Sequence, residues 1–175
     1  MDSLSRYDVC IDGIQADTRT YHWTLRDDYF HLLDEQDIEH GQLNATLRVT
    51  QSGDAYDLDF DIAGYVEVPC DRCLCPMQQK IEVHETLTAR LGNAYYDDGD
   101  TIEVAADTKT LNVAWNMFEL IALALPIHHV HDDGQCEEAM QQLLASHTPH
   151  ADDSHDTRWD ALKPLLGSNT TDDNK

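Results

Sequence analysis

Apolar residues fall on alternate positions over long stretches of this chain, which is the period of a strand rather than a helix. Leu43, Ala45, Leu47 and Val49 share one parity. After Ser52-Gly53-Asp54, the even positions Leu58, Phe60, Ile62, Gly64, Val66 and Val68 form a second run. Its odd positions include Asp57, Asp59, Asp61 and Glu67, so one face is wet and the other apolar. That alternation predicts an antiparallel sheet covered on one side. A third run, Ile81, Val83, Leu87, Ala89 and Leu91, keeps the period with Glu85 as its polar exception. Between the second and third runs stands Pro69-Cys70-Asp71-Arg72-Cys73-Leu74-Cys75-Pro76. Prolines cannot continue a central ladder, so this element reads as a hairpin tip.

Shorter alternations at Tyr7–Ile11, at Tyr21, Trp23 and Leu25, and over Thr101–Val104 predict further strands. Asp27–Leu33 reads as a short helix capped by an aspartate. The pattern changes at Leu111–Leu125, where Trp115, Met117, Phe118, Leu120, Ile121, Leu123 and Leu125 leave almost no polar face. A helix buried on most sides is predicted there, capped by Asn112 or Thr110 and stopped by Pro126. A short amphipathic helix follows Cys136 and runs through Leu144. The expected fold is therefore α+β: an antiparallel sheet of about five or six strands, one long buried helix on a face, and short C-terminal helices. Residues 1–145 are expected to form one domain, and 146–175 an acidic tail with a docking segment around 157–166.

Charge narrows the partners. The 175 residues carry 11 basic and 34 acidic side chains, a formal charge of −23. Such a chain repels phosphate backbones, so any contact with RNA must be local or mediated by another protein. The window from Ala63 to Tyr95 is close to neutral, and Arg72, Lys80 and Arg90 within it are the best available basic surface. No stretch approaches the length of a membrane span, and the opening residues do not resemble a secretory signal. A cytoplasmic protein is expected.

Five cysteines in such a chain are not read as a disulfide set. Cys70, Cys73 and Cys75 crowd together; Cys10 and Cys136 are distant. Cys70 and Cys73 have the spacing by which a tight turn offers two thiolates to one ion. If the apolar helix crosses the sheet, its exit can bring His131 and Cys136 to the hairpin tip, giving a Cys3His set suited to structural zinc. Cys75 or His129 could stand in as a ligand. The alternatives are reduced thiols packed at a turn, or thiol–disulfide chemistry, which a CxxC on a hairpin fits less well than one at a helix start. His128 and His129 beside His131, extended by His147, His150 and His155, suggest either an exposed metal-handling strip or, in preference, loop residues that soften the charge near an acidic tail; the pairs Asp97-Asp98 and Asp152-Asp153 read as solvated turns. Nucleophile-elbow, phosphate-loop, dinucleotide and HExxH motifs are all missing, so neither an enzyme nor a small-molecule substrate is indicated.

Four blocks in order resemble one family. They are Val68-Pro69-Cys70-Asp71-Arg72-Cys73-Leu74, Leu111-Asn112-Val113 continuing through Phe118 to Pro126, Val130-His131 with Cys136, and Asp156-Thr157-Arg158-Trp159-Asp160-Ala161-Leu162. The chain is similar to the YceD-like large ribosomal RNA subunit accumulation proteins, particularly forms from the Bacteroidetes. The resemblance implies a non-enzymatic cytoplasmic factor for accumulation or processing of large-subunit ribosomal RNA, partnered by that RNA or by pre-ribosomal proteins. It also implies Cys70, Cys73, His131 and Cys136 as ligands, since members elsewhere show a cysteine near the place of His131. This chain differs in having Cys75 beside the pair and His128-His129 where basic residues are commoner. Two other functions remain open: a zinc-stapled acidic module that engages basic partners without touching RNA, and a CxxC thiol oxidoreductase.

Overall fold

A computed structural model describes residues 3–11, 13, 18–33, 38, 40–97, 99, 101–132 and 134–147. The expected docking segment around 157–166 lies outside the described residues, as do Asp98, His150, His155 and the pair Asp152-Asp153. The chain divides into two compact units, Met1–Glu137 and Glu138–Lys175.

The first unit is α+β. Its main sheet has six strands: β2 (Arg19–Leu25), β3 (His40–Ser52), β4 (Ala55–Pro69), β5 (Pro76–Gly92), β6 (Tyr96–Asp97) and β7 (Thr101–Ala105), in the spatial order β2-β3-β4-β5-β7-β6. The alternation read from the sequence sets the register. Leu43, Ala45, Leu47 and Val49 are buried, and so are Ile62, Phe60 and Leu58 opposite the last three, with Val66 and Val68 further along β4. The intervening Asp57, Asp59 and Asp61 face the other way, where Thr86 donates to Asp59 Oδ1 at 2.7 Å and His84 Nδ1 lies 3.2 Å from Asp61. At Gly64 the backbone has φ +156°, and a Cβ there would run into the Gln42 carbonyl oxygen and Leu43 Cα of the neighbouring strand. Only glycine lets β3 and β4 stay paired through that point.

The sheet is not wholly antiparallel. After β5 the chain overshoots, returns through β6, and re-enters between them as β7, parallel to β5. A second, two-stranded sheet joins β1 (Asp8–Cys10) to β8 (Thr110–Asn112). A single 3-10 turn (Ser3–Tyr7) precedes β1.

Helix α1 (Asp27–Leu33) forms where expected and buries Tyr29 and Phe30. The Asp27 carboxylate ties the helix start to β3, accepting the Gly41 N–H at 3.1 Å. The long buried helix is shorter than Leu111–Leu125 and less enclosed. Helix α2 spans Ala114–Leu123, ten residues or about 15 Å. Leu111 and Val113 are buried, but as part of and just beyond β8. Ala114, Met117, Phe118 and Ile121 face the core, while Trp115, Glu119 and Leu123 lie on the outer side, with Leu123 82% exposed. The N-cap is Val113, without a side-chain cap, rather than Asn112 or Thr110; Asn112, one residue earlier, accepts the Ala114 N–H on its Oδ1 at 3.1 Å. The core is one cluster in which the inner sheet face meets Tyr7, Val9 and Ile11, the α1 aromatics and the α2 residues. Buried Tyr29 donates its hydroxyl to the Ala114 carbonyl at 2.7 Å, linking α1 to α2. The described part of the second unit is α3 (Glu138–His147), an exposed helix without buried residues.

Candidate metal centre

The β4–β5 hairpin is the longest paired element, in regular register from Ala55–Arg90 to Pro69–Pro76. Pairing stops at the two prolines, leaving residues 70–75 as a tight turn. The Cys70 N–H donates to the Cys75 carbonyl at 2.9 Å and the Leu74 N–H to the Cys70 carbonyl at 2.8 Å, with Leu74 at φ +59°. This turn buries Cys70 and Cys73 and directs the Arg72 N–H at Cys70 Sγ, 3.4 Å away.

On the other side, α2 ends where Ala124 and Leu125 turn the chain before Pro126. The following segment runs back to the hairpin tip and is fastened there by Asp71. The Asp71 N–H donates to the His129 carbonyl at 2.9 Å, and its carboxylate accepts the His129 N–H at 3.0 Å. The same carboxylate lies 3.2 Å from His129 Nδ1 and 3.6 Å from His128 Nδ1. Two residues later, His131 meets the cysteines.

Cys70, Cys73, His131 and Cys136 converge, each offering a ligand atom within 4.8 Å of all the others. Cys70 Sγ is 3.9 Å from Cys136 Sγ; His131 Nδ1 is 3.4 Å from Cys73 Sγ and 3.9 Å from Cys136 Sγ. Metal–sulfur bonds of about 2.3 Å and metal–nitrogen bonds of about 2.0–2.1 Å put tetrahedral neighbours about 3.8 Å (S–S) and about 3.6 Å (S–N) apart. These three separations lie within about 0.3 Å of those edges, and the other three are within 4.8 Å. They are far from the roughly 2.05 Å of a disulfide. The residues present therefore fit a four-coordinate ion such as zinc, with three soft thiolates and one imidazole.

The local electrostatics favour thiolates at the hairpin turn and oppose one at Cys136. Burial opposes ionisation of Cys70, but the backbone N–H groups of His131, Cys73 and Arg72 bring its thiol down to about 6. The Cys75 N–H leads in lowering Cys73, while burial pushes Cys136 up to about 11. The His131 imidazole is raised, chiefly by the Cys70 sulfur. Backbone donors thus favour anionic sulfur at the turn, the form a metal requires.

The two stand-in ligands fall outside the four. Cys75 turns toward Glu137, its Sγ 3.7 Å from Oε2, and His129 faces Asp71. The three basic residues are not brought together. Arg72 is exposed at the tip, Lys80 pairs with Glu82 at 3.0 Å, and Arg90 lies ten positions further along the same strand, about 33 Å from Lys80. Asp71 was not singled out in the sequence. Its signal was an acid between the paired cysteines together with two adjacent histidines before His131.

A long antiparallel hairpin whose tip meets the segment leaving a core helix at a Cys3His cluster defines the class: an α+β protein with a candidate metal clasp. The family model for the large ribosomal RNA subunit accumulation protein YceD matches residues 58–166. The chain belongs to the YceD family. The match begins inside β4 and takes in the whole clasp. No curated protein and no solved structure gives a significant match. Among the described residues no helix is long and apolar enough to cross a membrane.

Proposed function

We propose that this protein is a non-enzymatic, cytoplasmic factor for accumulation of large-subunit ribosomal RNA, and that Cys70, Cys73, His131 and Cys136 hold one structural zinc ion. The YceD family match supports the ribosomal part; the close approach of four soft and borderline ligand atoms supports the zinc. A structural role suits a closed set of four protein ligands, which leaves no open position for a substrate. It also suits the burial of the three sulfurs. The same burial weighs against a thiol oxidoreductase, whose attacking sulfur must be reached by another protein. Residues 1–145 would act as the folded body, with 146–175 as a tail carrying a docking segment around 157–166.

Direct RNA contact through Arg72, Lys80 and Arg90 is the weaker form of this proposal, because the three are spread along a hairpin of an acidic chain. Contact with pre-ribosomal proteins is the stronger form. The test is deletion of the gene in its source organism, followed by complementation. Loss should lower large-subunit relative to small-subunit ribosomal RNA, the wild-type chain should restore it, and Cys70→Ser should not. An Arg72→Ala/Lys80→Ala chain should restore it too if proteins are the partners. An unchanged ratio on deletion would overturn the reading.

A further inference from the structure

An apolar groove runs between the second half of α2 and the middle of β5, lined by residues other than those of the clasp. Two adjoining hollows, of about 370 and 530 Å³, share Leu87, Gly99, Leu120 and Leu123. Phe118 and Ala122 extend the first hollow, and Val83 the second. Leu123, 82% exposed, stands at the lip of both. Apolar surface of this kind, left open beside a packed core, marks an interaction site.

The rim is acidic. Asp97 and Glu119 border the first hollow; Glu82, Glu85 and His84 border the second. Glu82 is offset by Lys80 at 3.0 Å, and His84 sits between Glu82 and Asp61. Glu119 accepts a hydrogen bond from the neutral Trp115 indole at 2.7 Å, which leaves its charge in place. Among the described residues Asp97 is likewise bonded to neutral donors: Asn116 Nδ2 at 3.1 Å, the Gly99 N–H at 2.9 Å and the Tyr95 hydroxyl at 3.3 Å.

Asn116 supplies an independent observation. It lines the first hollow and is 3% exposed, and its Oδ1 is buried without a hydrogen-bond partner among the described residues. Buried acceptors in native proteins are nearly always paired. An entering N–H donor would complete it.

We infer that this groove receives a basic amphipathic segment of a partner protein, with apolar side chains against Leu87, Phe118 and Leu120, a donor toward Asn116 Oδ1, and cationic flanks against Glu85, Asp97 and Glu119. Charge complementarity selects this occupant, because an acidic rim on a chain of −23 repels nucleic acid and disfavours a second copy of itself. The inference gives the proposed function its protein contact, and rests on that function only in placing the partner among pre-ribosomal proteins.

The test uses the full chain and three labelled probes read by fluorescence anisotropy. The first is a helical peptide of about 18 residues with leucines on one face and lysines on the other. The second has serine for leucine, and the third glutamate for lysine. The Leu/Lys peptide should bind roughly tenfold more tightly than either counterpart. Leu123→Ser and Glu85→Lys/Glu119→Lys should each weaken it by about fivefold or more. Asp57→Asn/Asp59→Asn, on the opposite sheet face, should not.

Absence of binding, equal binding of the serine peptide, or equal loss from the Asp57/Asp59 variant would overturn the inference. So would a dimer dissolved by Leu123→Ser, which assigns the groove to a second copy. Tighter peptide binding by a Trp159→Ser/Leu162→Ser chain would assign it to this chain's own residues instead. Peptide binding with an unchanged ribosomal RNA ratio on gene deletion would leave the groove standing and remove the ribosomal reading.

Discussion

Removing the Asp71 carboxylate tests how His131, the third candidate ligand, reaches the hairpin tip. Asp71→Ala deletes the acceptor of the His129 N–H and the anion beside both imidazoles. It keeps the backbone bond from residue 71 to the His129 carbonyl. A hydrogen bond to a charged group contributes about 1.5–3 kcal/mol. Asp71 is 38% exposed, so solvent screening places the value at the low end, about 1.5 kcal/mol. Without the tether, the segment carrying His131 must be ordered by the metal itself, and that cost appears as lost affinity. About 1.5 kcal/mol corresponds to roughly tenfold, within the 10–100-fold range typical of groups that orient metal ligands. Asp71→Asn keeps an oxygen acceptor but not the charge. Neutral hydrogen bonds are about half as strong, so a loss of about threefold is expected. Competition of the protein with a chromophoric zinc chelator gives both values, and far-ultraviolet circular dichroism shows that the sheet is retained. Zinc affinity within about twofold of wild type for Asp71→Ala would refute the positioning role.

Three further outcomes follow from the fold. Gly64→Ala forces a methyl into the β3 backbone and should cost about 3 kcal/mol or more, a fall in Tm of roughly 6–12 °C by calorimetry; a smaller change would mean that the two strands part easily there. Tyr29→Phe leaves the ring in place but removes the buried bond to the Ala114 carbonyl, so about 1 kcal/mol and roughly 2–4 °C are expected in the same measurement. Asp27 is held below its ordinary value of 3.8, chiefly by the Gly41 N–H and then by His40. Its contribution to stability is therefore present above about pH 4 and lost as pH falls through the lower native value. Asp27→Asn should flatten the acid limb of a urea-denaturation profile below that pH, and an identical acid limb would show that the carboxylate adds nothing.

The long strands were legible because one sheet face is wet. In β4, aspartates alternate with buried Leu58, Phe60 and Ile62, and a slip of one residue would exchange the faces. The hairpin tip was legible because two prolines end the ladder around Cys70–Cys75, and the four candidate ligands then followed from residue chemistry. The Leu111–Val113 stretch was misread because a continuous apolar run carries no mark where a buried strand gives way to a buried helix. Leu111 pairs with Val9, a partner about a hundred residues away that local pattern cannot reveal. The parallel entry of β7 was hidden for a similar reason, since Ile102 and Val104 alternate in either direction. Trp115 and Leu123 looked like core from hydrophobicity alone, yet they lie on the outer side of α2, and the groove that Leu123 borders could not be seen in the sequence.

The metal content of the full chain, purified under reducing conditions and read by native mass spectrometry alongside elemental analysis, is the most direct test of the clasp. A single zinc ion per chain is expected, lost together with much of the thermal stability on chelation, and absent or substoichiometric in Cys70→Ser and Cys136→Ser. A wild-type chain that carries no zinc and takes none up, or one whose mass shows Cys70 and Cys136 joined as a disulfide, would contradict it.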